Sequence, residues 1–375
     1  MALMGCNAMG TSGSSGGSTA QGGGFQDGNQ DPNAVSTAGK TRGEPNDTFE
    51  QAIVTVFDQF GNGLLQGTIA AEGDVDVFSL GPMQPGDRIA VSTDTPDSPL
   101  DITIALFDDQ GRLFVTNDDR DLSSGVLDAF VQESVRHAGD PYYLVVSASP
   151  FAVDPQQATG SYRVGVSVLR GQEVPAPQGQ TLLLDFDGGV LDVTTIPVDV
   201  VVPFDAGSIS PVYAGQTETV KAAIVDTVRE NFEGLDVTIV TTDDDSLPPV
   251  GTYSTVFLGG FNFLAFGISE TVDSYNHDPA DVAVVFTESF QPELFSTIPT
   301  PEELGLAIGN IAAHEAGHLL GLNHVNDPTA LMDEANPADT FLADQEFKEA
   351  PLSPRIAPLG TQDALLLLAE ILGIL

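Results

Sequence analysis

Three of the five histidines in this 375-residue chain, His314, His318 and His324, fall within one short stretch, with Glu315 beside the first. On a helix, His314 and His318 stand one turn apart on one face. Both imidazoles can then reach a single metal ion at about 2.0–2.1 Å. Gly321 can take a positive φ, end the helix and turn the chain back, so that His324 offers a third nitrogen. Three protein ligands with a fourth position open is the arrangement of catalytic zinc, whereas a structural site is closed. Zinc in such a site lowers the pKa of a bound water towards about 7. Glu315 projects beside the histidines and can act on that water as a general base without binding the metal. The chemistry predicted is hydrolysis by a zinc-activated water.

The elements that must position these groups are also legible. Thr300 can cap a helix, Pro301 suits its first position, and Glu303 completes a capping box. The spacing predicts a helix from there to Leu320. Before it, Thr181 to Phe186 reads as a buried strand, and Asp236 to Val240, Ser254 to Leu258 and Val282 to Phe286 as further strands. Thr217 to Phe232 places Val220, Ala223, Ile224, Val228 and Phe232 at helical spacing. A last helix is expected from about Thr361. Strands alternating with helices argue α+β or α/β packing.

The run His314-Glu315-Ala316-Gly317-His318-Leu319-Leu320-Gly321-Leu322-Asn323-His324 resembles the signature of the metzincin zinc peptidases. Ala330-Leu331-Met332 follows at a spacing similar to that of the matrixins, which makes Met332 the methionine of the turn beneath the metal. The resemblance implies a twisted mixed sheet, a long active-site helix, one catalytic Zn²⁺ and endopeptidase activity on extended polypeptide. Val325 and Asp333-Glu334 depart from the usual matrixin residues after the third histidine and the methionine. Glu270 and Asp273, with His277 and Asp278 nearby, are candidates for a structural cation or for the edge of the cleft.

Residues 44–170 carry a different pattern, short alternating runs between turn signals. Val75 to Leu80, Arg88 to Ser92, Ile102 to Phe107, Arg112 to Val115, Tyr142 to Val146 and Ser161 to Val168 have period two, which predicts an all-β sandwich. Glu44-Pro45-Asn46-Asp47, Gly73 to Phe78 and Gly160 to Val164 resemble the bacterial pre-peptidase C-terminal domain. That resemblance implies a jelly-roll-like sandwich with no catalysis of its own. The pairs Asp74/Asp76 and Asp118/Asp119 are of the kind that holds Ca²⁺, the second candidate cofactor.

The domain order expected is a Gly/Ser-rich tether over 1–43, the sandwich over 44–170, a Pro/Gln/Gly linker over 171–180 and the metzincin-like domain over 181–375. The tether has too few apolar residues to fold. Leu3-Met4-Gly5-Cys6 resembles the end of a bacterial lipoprotein signal, in which the cysteine is lipidated. No apolar run reaches the roughly 18 residues of a membrane span. With 54 acidic and 12 basic side chains, the net charge is −42. That excess disfavours nucleic acid, whose phosphates need clustered Lys and Arg. No Lys or Arg lies between Arg229 and Lys348, so a site there sits in a field that favours cations. The expected protein is a secreted or cell-surface zinc endopeptidase acting on polypeptide as a monomer. The competing expectation is a degenerate surface binding protein in which the sandwich carries the function.

Overall fold

The computed structural model describes residues 44–375 apart from 121–125, 153, 194, 245 and 336. Cys6 and the 1–43 tether lie outside the described residues. The described chain forms two compact units, divided near residue 175.

The first unit is a sandwich of two sheets. One sheet has the order β1-β3-β8-β5-β6, with β1 Ile53–Val54, β3 Val75–Met83, β5 Ile102–Phe107, β6 Leu113–Asn117 and β8 Gly139–Ala148. The other runs β2-β9-β4-β7, with β2 Asn62–Ile69, β4 Arg88–Asp94, β7 Phe130–Ser134 and β9 Gly160–Leu169. Strand β9 shows why the sheets stack. Tyr162, Val164, Val166 and Val168 are buried, while Arg163 and Gly165 between them face out, the alternation of a half-buried strand. Strand β5 is buried at every position. Its second face is covered in part by Phe49, whose ring meets Phe107 edge-on at 5.3 Å.

The second unit is α+β. Its sheet has the order β13-β10-β14-β16-β15, built from β10 Gln180–Asp185, β13 Val237–Thr241, β14 Ser254–Leu258, β15 Gly267–Ser269 and β16 Val282–Val285. The first four strands are parallel and β15 is antiparallel at the edge. Two small antiparallel pairs accompany the sheet, β11 Gly189–Val190 with β12 Val200–Val201, and β17 Glu349–Pro351 with β18 Thr361–Asp363.

Four helices complete the unit: α1 Ala206–Ile209, α2 Thr217–Asn231, α3 Pro301–Leu319 and α4 Ala364–Leu372. Helix α2 buries Val220, Ile224 and Val228 and packs along α3. Helix α3 starts as its residues dictate. The Thr300 hydroxyl accepts from the Glu303 N–H at 3.2 Å, and the Glu303 carboxylate accepts from the Thr300 N–H at 2.8 Å. From Leu304 onward α3 is buried on nearly all sides, as a helix apolar all round must be. The final helix begins at Ala364, three residues later than its periodicity suggests, because Thr361–Asp363 is held in strand β18 by Glu349–Pro351. Among the described residues, no helix is long and apolar enough to cross a membrane.

Candidate metal centre

Helix α3 carries His314 and His318 on its last turns, and Gly321 ends it with φ at +90°. A side chain there would be strained, and its Cβ would stand 2.9 Å from the Asp273 carbonyl oxygen and the Tyr275 nitrogen. The turn brings His324 back. The Nε2 atoms of His314 and His318 are 3.1 Å apart, and those of His318 and His324 also 3.1 Å.

Each of the first two rings is held by its other nitrogen. His314 Nδ1 donates to the Leu331 carbonyl at 2.7 Å, and His318 Nδ1 to the Leu322 carbonyl at 2.7 Å. Those bonds place the ring proton on Nδ1 and leave Nε2 bare. Burial pushes His314 down to about 4 and His318, with help from His314, down to about 3. Burial and the two neighbouring rings hold His324 well below its ordinary range. The rings are therefore neutral at pH 7, and the Nε2 lone pairs of His314 and His318 face each other with no proton between them. A cation relieves that opposition. Two nitrogens bound tetrahedrally at 2.0–2.1 Å stand about 3.3 Å apart, close to the spacing found. The donor set and its geometry fit Zn²⁺.

Glu315 is fully buried on the same helix. Edge strand β15 passes against it: a Cβ on Gly267 would come 2.3 Å from Glu315 Oε1. The segment 330–332 lies beneath the helix. Its Leu331 carbonyl orients His314, and the Met332 sulfur would meet a Cβ on Gly317 at 2.6 Å. Val325, where matrixins usually have another residue, donates its N–H to the Met332 carbonyl at 2.9 Å and accepts from the Glu334 N–H at 3.1 Å.

Further support comes from residues that spacing could not single out. Gln362, buried on β18, accepts from the Asn323 N–H at 2.7 Å and donates to the Asn323 carbonyl at 2.8 Å. Its amide grips both backbone groups of the residue before His324. The His324 carbonyl accepts from the Ser353 N–H at 3.0 Å. Ser353 donates its hydroxyl to Glu334, which also pairs with Arg355 at 2.9 Å.

The carboxylates suggested as cation ligands are placed differently. Asp76 is buried and spent on the sandwich, accepting from Asn46 Nδ2 at 2.7 Å and from the Tyr162 hydroxyl. Asp74 instead lies near Glu44 and Asp47, with oxygens of the three within 4.8 Å of one another. Glu270 and Asp273 sit in the β15–β16 connection. Glu270 accepts from the Val282 N–H at 3.2 Å, and Asp273 accepts from the Asp278 N–H at 2.7 Å. The Asp273 N–H donates to the His318 carbonyl at 3.0 Å, which ties this connection to the end of α3.

A family model, Matrixin, matches residues 263–345. The matched segment runs from just before β15 through α3, the three histidines and Met332. No curated protein matches the chain. Among solved structures, the archaemetzincin of Methanopyrus kandleri is similar at 15% identity, over 51% of this chain and 93% of that one, with a TM-score of 0.26. A zinc-dependent peptidase from Methanocorpusculum labreanum is similar at 17% identity, over 45% and 94%, with a TM-score of 0.24. The pre-peptidase C-terminal domain of a Bacillus anthracis collagenase is similar at 18% identity, over 31% and 94%, with a TM-score of 0.22. The matrixin match and the three-histidine cluster together support a zinc metallopeptidase.

Proposed function

We propose that the chain is a zinc-dependent endopeptidase of matrixin-like type that hydrolyses peptide bonds of extracellular polypeptides. The observation that carries this reading is the convergence of three buried, neutral histidines beside a buried Glu315 that faces an edge strand. His314, His318 and His324 would hold Zn²⁺, and Met332 would floor the centre. When bound, the ion supplies a Lewis acid for the scissile carbonyl and acidifies a water. A substrate strand lies extended along the free edge of β15, its backbone held by strand addition. Glu315 takes a proton from the attacking water on its carboxylate and hands it to the leaving amine nitrogen. Burial of Glu315 keeps bulk water from competing for that proton.

Residues 181–375 form the catalytic domain in this reading. Residues 44–170 form a pre-peptidase C-terminal-like module that targets or stabilises the enzyme. Residues 171–180 form the linker, and 1–43 a tether lipidated at Cys6. The protein works as a monomer at the cell surface or outside the cell.

The test is cleavage of a quenched fluorescent peptide library by the full chain, with and without a zinc chelator, beside Glu315→Gln. The expected result is chelator-sensitive cleavage that drops at least about 100-fold in the variant, the low end for a lost general base, with one zinc retained per chain. Equal turnover in the variant would overturn the role of Glu315. No cleavage by a folded, zinc-loaded chain would favour a surface binding protein.

A further inference from the structure

In the sandwich, three carboxylates from the ends of two strands come together. Asp101 precedes β5, and Asp118 and Asp119 follow β6. Ser149, just after β8, links them. Its N–H donates to the Asp101 carbonyl at 2.9 Å, and its hydroxyl donates to Asp118 Oδ2 at 3.2 Å. All three are buried, at 8%, 7% and 9% exposure. Carboxylates this buried are normally paired or bound to metal.

These are not fully paired. Asp101 Oδ1 and Asp119 Oδ1 are sealed from solvent and accept no hydrogen bond from the described residues. The Thr103 hydroxyl, two residues along β5 and so on the same strand face as Asp101, is sealed and unpartnered as well. The nearest cation in the sequence is spent elsewhere. Arg120 donates to the Ser92 hydroxyl at 2.6 Å and lies over the Phe130 ring at 5.5 Å. Burial, reinforced by the neighbouring carboxylates, pushes Asp119 up to about 7 and Asp101 up to about 6. Ser149 offsets part of the charge on Asp118, and no described side chain does so for Asp101 Oδ1 or Asp119 Oδ1.

We propose that Asp101, Asp118 and Asp119 form a binding site for a divalent cation of the size and hardness of Ca²⁺. The ligands are all oxygens, which selects a hard ion over Zn²⁺. Their oxygens do not all come within 4.8 Å of one another, as the histidine nitrogens do. An ion that takes oxygens at about 2.3–2.6 Å would therefore have to draw the three carboxylates closer together than they stand here. Both the lone oxygens and the mutual repulsion are answered by one ion, which also ties the end of β6 to the start of β5. This site is separate from the histidine cluster and does not depend on peptidase activity.

The experiment uses the full chain, zinc-loaded and freed of calcium, at pH 7.5. Calcium binding is measured by equilibrium dialysis, and thermal unfolding by calorimetry, for wild type, Asp119→Asn and Asp101→Asn. The expected result is one fewer calcium per chain, or at least a ten-fold weaker site, in each variant. The calcium-dependent rise in the sandwich's unfolding temperature should disappear with it, while zinc content stays the same. Hydrogen exchange of the wild type gives a reading that needs no variant: calcium should slow the amides of 101–103 and 117–119. Equal calcium binding in all three proteins, or no local change in exchange, would overturn the proposal. So would Asn variants that are more stable than wild type with no calcium effect in either, because the carboxyls would then be protonated partners of one another.

Discussion

Gln362 shows how much of a metal centre can rest on a residue that touches no metal. Its amide satisfies both backbone groups of Asn323 at 2.7 and 2.8 Å. With that grip, His324 is presented to His318 by a fixed backbone instead of a free turn. Outer partners of this kind typically contribute 10–100-fold in metal affinity. Gln362→Ala is therefore expected to weaken zinc binding by about that factor in a chelator competition. It should also alter the visible spectrum of the cobalt-substituted protein, which a purely structural loss of packing would leave alone. Gln362→Glu keeps the acceptor but loses the donor, so its affinity should fall between the two. Unchanged affinity in Gln362→Ala would show that Ser353 alone holds the turn.

At the scale of elements, the connection between β15 and β16 is where charge and fold conflict most. Asp281 opens onto β16 and is 2% exposed. Burial, helped by the carboxylates of Asp273, Asp278 and Glu270 and opposed by the Ser254 hydroxyl, raises its carboxyl to about 9. The folded chain thus keeps a proton that the unfolded chain releases above about pH 4. Stability tied to this group is full below that pH and is lost progressively as pH rises towards about 9. Asp281→Asn should flatten the fall in urea midpoint between pH 5 and 9 and leave the variant more stable than wild type at the alkaline end. A parallel slope in the two proteins would place the titration elsewhere.

The same connection marks the limit of what could be read beforehand. Helix α3 was legible because its signals are local: the Thr300–Glu303 box, the histidine spacing and Gly321 all lie within one helix and its ends. The strongly alternating strands, such as β9, were legible for the same reason. Strand β15 was not, because three residues have no periodicity, and its pairing with β16 supplies its conformation. Strands β2 and β7 lack that signal, because β2 buries only Leu65 and Ile69 and β7 exposes Phe130 while burying Glu133, so pairing with β9 and β4 supplies their conformation. The Gln362 grip has no local pattern at all. An amide that bonds to another residue's backbone looks like any other glutamine until the chain is folded.

Over the whole molecule, a charge of −42 works against compactness. Ion pairs offset it only locally, as between Lys348 and Asp327 at 2.8 Å or Lys221 and Asp243 at 2.9 Å. Raising salt from about 10 mM to about 1 M shortens the screening length from about 30 Å to about 3 Å. Unfolding temperature is expected to rise across that range in sodium chloride, and guanidinium and urea midpoints should diverge because only the first is a salt. A flat response would mean that the acidic surface is already neutralised by bound counterions.

The support of the third histidine also has an order in time. Gln362 lies 39 residues beyond Asn323 along the chain, and synthesis runs from the amino end. A ribosome delivers all three imidazoles well before it delivers the amide that fixes the last of them. The histidine cluster is thus completed by late-arriving chain. A nascent polypeptide halted short of Gln362 holds all three histidines with the turn before the last still ungripped.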